Sequence, residues 1–154
     1  VSPRPIRFVM DHRIFKTPII SFIFRHTRAI PIAPAKEDPA MMDQAFAEVK
    51  KALDEGELVG IFPEGRITDT GELYPFRPGV SRILESNPVP VIPLALQGLW
   101  GSFFSRKDGP AMSKPFRRGL FSKIAVVGAA PVPAEAASPE HLQEIVAALR
   151  GEWR

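Results

Sequence analysis

Residues Ile61-Phe62-Pro63-Glu64-Gly65-Arg66-Ile67-Thr68 set a carboxylate and a guanidinium on either side of a glycine. The apolar run Leu58 to Phe62 leads into them, so both charges emerge together at a predicted strand end. Open α/β sheets keep their ligand sites at such ends. The glycine lets backbone N–H groups approach a ligand closely. Arg66 can bind a phosphate in a forked, charge-assisted geometry, and Glu64 can orient that guanidinium or hydrogen-bond a ligand hydroxyl. Arg77-Pro78-Gly79 opens the next predicted helix, where backbone donors favour an anion and Arg77 adds charge. The plainer alternatives are a structural Glu64–Arg66 ion pair and a solvated Arg77.

The elements that must position these groups alternate in type. Ile6 to Met10 reads as a strand and Ile14 to Arg25 as an apolar, aromatic helix entered through Pro18. Ala29 to Ala33 reads as a second strand. Asp38 is an N-cap with Pro39 at the first helical position, and Met42, Ala45, Phe46, Val49 and Leu53 form the apolar stripe of that helix. Gly56 ends it, and Leu58 to Phe62 is the third strand. Pro63 to Pro78 has turn signals and no periodicity, the pattern of a long functional loop. A short helix follows over Val80 to Ser86. Val89 to Gln97 is a strand with an irregular edge at Pro90 and Pro93, and Lys123 to Ala129 is another strand. Ser138-Pro139-Glu140 caps a last amphipathic helix bearing Leu142, Ile145, Val146 and Leu149 and ending at Gly151. Such alternation predicts an α/β layered domain with a mostly parallel sheet flanked by helices.

The Phe-Pro-Glu-Gly stretch, followed by Arg-Ile-Thr and later by Val91-Ile92-Pro93-Leu94-Ala95, resembles the glycerolipid acyltransferases of the lysophosphatidate acyltransferase type. The form with Arg-Ile-Thr looks most like bacterial 2-acylglycerophosphoethanolamine acyltransferases. The resemblance runs from about Ile6 to Leu96 and thins after Gly98. It implies a glycerol-3-phosphate acyltransferase-like fold, a lysophospholipid acceptor, and an acyl thioester of coenzyme A or acyl-carrier protein as donor, with no cofactor. It implies substrate-binding roles for Pro63, Glu64, Gly65, Arg66 and Arg77. Pro34 stands where an Arg of the family's earlier motif usually falls, so Lys36, two residues on, joins Arg66 and Arg77 as a candidate phosphate ligand. The family's catalytic pair is a His and an Asp five residues later, the His acting as general base and the Asp fixing its tautomer. The histidines are His12, His26 and His141, and five residues beyond them lie Thr17, Pro31 and Val146. No catalytic pair is expected within these residues, and Asp11-His12 has the wrong spacing to replace it.

The chain has 154 residues, enough for one domain, and 17 prolines that punctuate its apolar runs. It is expected to be a single acyltransferase domain over residues 1–154, truncated at its N-terminus, with the His/Asp segment upstream of Val1. With no cysteine, a disulfide framework, thiolate metal sites and a cysteine nucleophile are excluded, and no metal site is expected. A net charge of +3 favours anionic partners mildly. No apolar stretch is long enough to span a bilayer, whereas Trp100, Phe103 and Phe104 beside Arg106 and Lys107 suit a bilayer interface, with a buried loop as the alternative. The expected location is the cytoplasmic face of the inner membrane, peripheral or tethered through other domains. Nucleic acid is not an expected partner, because the basic residues are scattered and one Tyr and two Trp offer little to stack on bases. The competing function is a non-catalytic lipid- or phosphate-binding module of the same fold.

Overall fold

The computed structural model describes residues 4–16, 26–102, 105–107, 109 and 123–152. They fall into two compact units, Val1–Phe62 with Glu85–Asn87, and Pro63–Leu84 with Pro88–Arg154.

The first unit is built on three parallel strands, β1 (Ile6–Asp11), β2 (Ile30–Ile32) and β3 (Leu58–Gly60), in the order β2-β1-β3. Val9 pairs with Ile30 and Phe8 with Gly60. Parallel strands need crossover connections, and α1 (Pro39–Asp54) supplies the one that carries the chain from β2 past β1 to β3. Its start follows from side-chain chemistry: Asp38 accepts the Met41 N–H at 2.9 Å, and Pro39 sits where a missing N–H costs nothing. Past its last turn Gly56 takes φ +75°, a conformation glycine adopts without strain. Ala45, Val49 and Ala52 are buried and pack α1 against β2 and β3.

Arg7 is buried on β1 beneath this helix. Its Nε donates to the Arg28 carbonyl at 2.9 Å, while Nη2 reaches Glu48 at 3.3 Å and Nη1 reaches Glu57 at 3.4 Å. Arg28 also pairs with Glu57. On the alternate strand face Phe8 stacks on Phe62 with centroids 6.1 Å apart. A Cβ on Gly60 would come within 2.6 Å of the Phe8 ring, so a larger residue there would require the ring to shift. Beyond β1 the 3-10 turn His12–Lys16 begins where the helix from Ile14 to Arg25 was expected. Residues 17–25 of that expected helix lie outside the described residues.

The second unit contains the 63–78 loop, most of α2 (Gly79–Ser86), the antiparallel pair β4 (Leu94–Gln97) and β5 (Ala125–Gly128), and α3 (Pro139–Arg150). The parallel expectation therefore describes the first three strands, and the last two run antiparallel. The expected strand Val89 to Gln97 is reduced to a bridge between Val91 and Val132 followed by β4. Pro90 and Pro93 lack the N–H a continuous ladder needs, and the Pro93 carbonyl accepts from the Ala129 N–H at 3.0 Å instead. Ser138 accepts the His141 N–H at 3.2 Å and starts α3. The Gln97 amide donates to the carbonyls of Leu149 at 2.8 Å and Arg150 at 3.2 Å, so β4 fixes the helix end. Among the described residues, no helix is long and apolar enough to cross a membrane.

Candidate functional site

The loop after Pro63 lies wholly in the second unit and is closed by its own polar groups. Arg77 N–H donates to the Pro63 carbonyl at 2.9 Å, joining the two ends. Tyr74 N–H donates to Glu64 Oε2 at 2.7 Å. The Arg66 guanidinium lies 3.5 Å above the centre of the Tyr74 ring, within cation–π range. The Tyr74 hydroxyl donates to Asp69. Thr68 Oγ1 accepts from the N–H groups of Thr70 at 3.3 Å and Gly71 at 3.1 Å, which folds the loop tip. One Tyr thus organises three of the charged side chains.

Gly65 is required twice over. Its φ is +66°, and a Cβ there would stand 2.9 Å from Arg77 Nε and 3.1 Å from its Cζ. The Arg77 guanidinium consequently lies against the glycine that separates Glu64 from Arg66. Both guanidinium-bearing residues are exposed, and Glu64 is half-buried. Burial pushes the Glu64 carboxyl up from its ordinary value, opposed by the Tyr74 N–H and by the positive charges of Arg150 and Arg66. The hydroxyl of Tyr74 holds Asp69 below the usual carboxylate range, and the same bond pushes the phenol up.

The structure therefore brings Pro63, Glu64, Gly65, Arg66 and Arg77 into one loop. Glu64 and Arg66 are held by Tyr74, through its N–H and its ring, rather than by a contact ion pair with each other. Lys36 belongs to the first unit. It is exposed in the turn after β2, where Glu37 and Asp38 N–H groups donate to the Pro34 carbonyl at 2.8 and 3.0 Å. His12 has Nε2 3.3 Å from Glu37 and Nδ1 3.5 Å from Asp11, but Nδ1 is buried and makes no hydrogen bond. The adjacent Asp11 consequently does not fix a tautomer as a catalytic dyad would. His26 and His141 are exposed.

Sequence reasoning missed Tyr74, Asp69, Gln143 and Arg150. Tyr74 carries one usable signal, as the single tyrosine of the chain placed in a polar, glycine-containing loop. Trp100 packs its ring over Gly71, where a Cβ would meet it at 2.8 Å. Phe103 and Phe104 lie outside the described residues.

The chain belongs to the acyltransferase family, whose model matches residues 1–97. Among particular relatives, it is similar to the 1-acyl-sn-glycerol-3-phosphate acyltransferase of Bacillus subtilis (strain 168), 30% identical over 98 residues, 64% of this chain and 46% of that protein. It is 28% identical over 92 residues to the chloroplastic 1-acyl-sn-glycerol-3-phosphate acyltransferase BAT2 of Brassica napus, covering 60% of this chain and 26% of that protein. The chain thus spans less than half the length of either relative. The crystal structure of the 1-acyl-sn-glycerophosphate acyltransferase PlsC from Thermotoga maritima superposes with a TM-score of 0.64. That match covers 91% of this chain and 53% of the other at 18% identity, a likeness of fold.

Proposed function

We propose that the chain is part of a membrane-peripheral O-acyltransferase of phospholipid synthesis or repair. The enzyme moves an acyl group from a coenzyme A or acyl-carrier-protein thioester to a lysophospholipid, either 1-acylglycerol-3-phosphate or acylglycerophosphoethanolamine. In this reading the 63–77 loop binds the polar end of the acceptor at the cytoplasmic face of the inner membrane. The observation that carries it is a loop with two exposed arginines, Arg66 held over Tyr74 and Arg77 against Gly65, and a carboxylate held by a backbone N–H. Arg66 and Arg77 present planar donors to phosphate oxygens. Glu64 accepts a hydrogen bond from a glycerol hydroxyl, while Pro63 and Gly65 shape the loop. The relatives named above act on 1-acyl-sn-glycerol-3-phosphate, by their names, which favours lysophosphatidate as acceptor.

In the chemical step the acceptor hydroxyl oxygen bonds to the thioester carbonyl carbon, the C–S bond breaks, and the thiol leaves. The hydroxyl proton passes to a general base, assigned to a His–Asp pair supplied outside these residues. The 154-residue chain alone is accordingly expected to transfer no acyl group. The test measures thiol release and acylated product in the complete enzyme. Arg66→Ala is expected to weaken lysophosphatidate use by about 10- to 100-fold, the order expected for a lost charge-assisted contact. Unchanged acceptor use in Arg66→Ala and Glu64→Ala would remove the loop from the site. Acceptor binding without turnover in the complete protein would favour the non-catalytic module.

A further inference from the structure

We infer that Gln143 and Arg150 of α3 are positioning residues for the acceptor loop, holding the 71–76 segment so that Tyr74 keeps Glu64 and Arg66 in place. The inference rests on the acceptor-binding reading of that loop.

The loop has no ladder or helix of its own between Pro63 and Pro78, and two side chains distant in sequence hold it. Gln143 Oε1 accepts the Phe76 N–H at 2.9 Å. Arg150 donates from Nη1 to the Gly71 carbonyl at 2.8 Å and from Nη2 to Glu72 Oε2 at 3.0 Å. These contacts bracket Tyr74 on both sides. Residues seven apart on a helix share a face and stand about 10 Å apart along its axis. The two side chains therefore pin the segment on both sides of Tyr74, which restricts the positions its N–H and ring can take.

The helix end is itself fixed, since the Gln97 amide donates to the Leu149 and Arg150 carbonyls. A line of hydrogen bonds thus runs from β4 through α3 to the loop. Arg150 Nε is buried and has no hydrogen-bond partner. An unmet buried donor weakens the fold, so stability alone is a poor account of an arginine at this point. Arg150 also contributes positive charge that favours ionised Glu64, together with Arg66 and the Tyr74 N–H. Both positioning residues lie beyond residue 97, where the family match ends.

Steady-state kinetics of the complete enzyme, with lysophosphatidate and an acyl thioester varied separately, tests the inference. Gln143→Met removes the acceptor of the Phe76 N–H, and Gln143→Glu retains an oxygen there. Gln143→Met is expected to raise the lysophosphatidate KM by roughly tenfold, the size of one lost hydrogen bond, with the thioester KM within about twofold. Gln143→Glu is expected to recover most of that loss. Arg150→Lys keeps the charge without the forked geometry, and Arg150→Met removes both. Arg150→Met alone is expected to move the acidic limb of the acceptor-use profile to higher pH, because Glu64 loses a neighbouring cation. Equal rises in both KM values, or an acceptor KM unchanged in Gln143→Met and Arg150→Met while Arg66→Ala raises it, would overturn the inference and leave the acceptor site standing. An acceptor KM unchanged in Arg66→Ala as well would overturn both.

Discussion

Arg7 in the first unit and Arg66 in the second are the same residue put to opposite uses. Arg7 is buried, and its donors go to a carbonyl and two carboxylates. Arg66 is exposed, and its guanidinium carbon lies 3.5 Å over the centre of the Tyr74 ring. One set of charges knits a sheet to a helix. The other is held in position without being neutralised. A cation–π contact suits the second role, because it fixes the plane of an arginine while consuming none of its N–H groups.

This contrast can be broken most forcefully at Arg7. Arg7→Ala removes a buried guanidinium with three hydrogen bonds, leaving Glu57 to Arg28 and Glu48 to solvent, and it is expected to cost about 2–3 kcal/mol in urea denaturation, the range for lost hydrogen bonds to charged groups. Arg66→Ala is expected to change stability by at most about 1 kcal/mol, in line with an exposed cation. Comparable losses in the two variants would erase the distinction. Gly65→Ala comes next, since it combines a left-handed backbone with a contact against Arg77. A loss of about 1–3 kcal/mol is expected, accompanied by weaker lysophosphatidate use as Arg77 is displaced. Asp38→Ala is expected to cost about 1 kcal/mol by removing the cap of α1, with acceptor use unaltered.

The smallest effect concerns Glu64, and its sign follows from the upward shift. A carboxyl whose folded value is raised gives stability that is fully present below its ordinary value of 4.5 and is lost as pH rises through the folded value. Glu64→Gln keeps an acceptor for the Tyr74 N–H but does not ionise. Denaturation at several pH values should show it matching the wild type below about 4.5 and equalling or exceeding it above, while acceptor use falls. Loss of stability at neutral pH would mean that the carboxylate is structural.

What was legible in the sequence was local. Asp38-Pro39 and Ser138-Pro139 place a side-chain acceptor before a residue that needs no N–H bond, and both helices start there. The unpatterned run from Pro63 to Pro78 is indeed a loop, and Gly65 in it takes the positive φ that its position demanded. The less legible features depend on residues far apart. Nothing near Arg7 says that Glu48 and Glu57 will come to meet it, and an arginine between Ile6 and Phe8 reads as the wet side of a strand. Gln143 sits 67 residues from the amide it accepts. Val89 to Gln97 misled for another reason: its β-branched composition argues for a strand, whereas Pro90 and Pro93 remove the donors that would complete one.

Tyr74 has a practical consequence. It is the only phenol in the chain, and it touches Arg66, Asp69 and Glu64 at once. Ultraviolet difference absorbance during an alkaline titration therefore reads one residue, at the loop in question, with no label attached. Its bond to Asp69 delays phenolate formation beyond the ordinary 10.0, and any anion that draws Arg66 off the ring will register as a change in that curve.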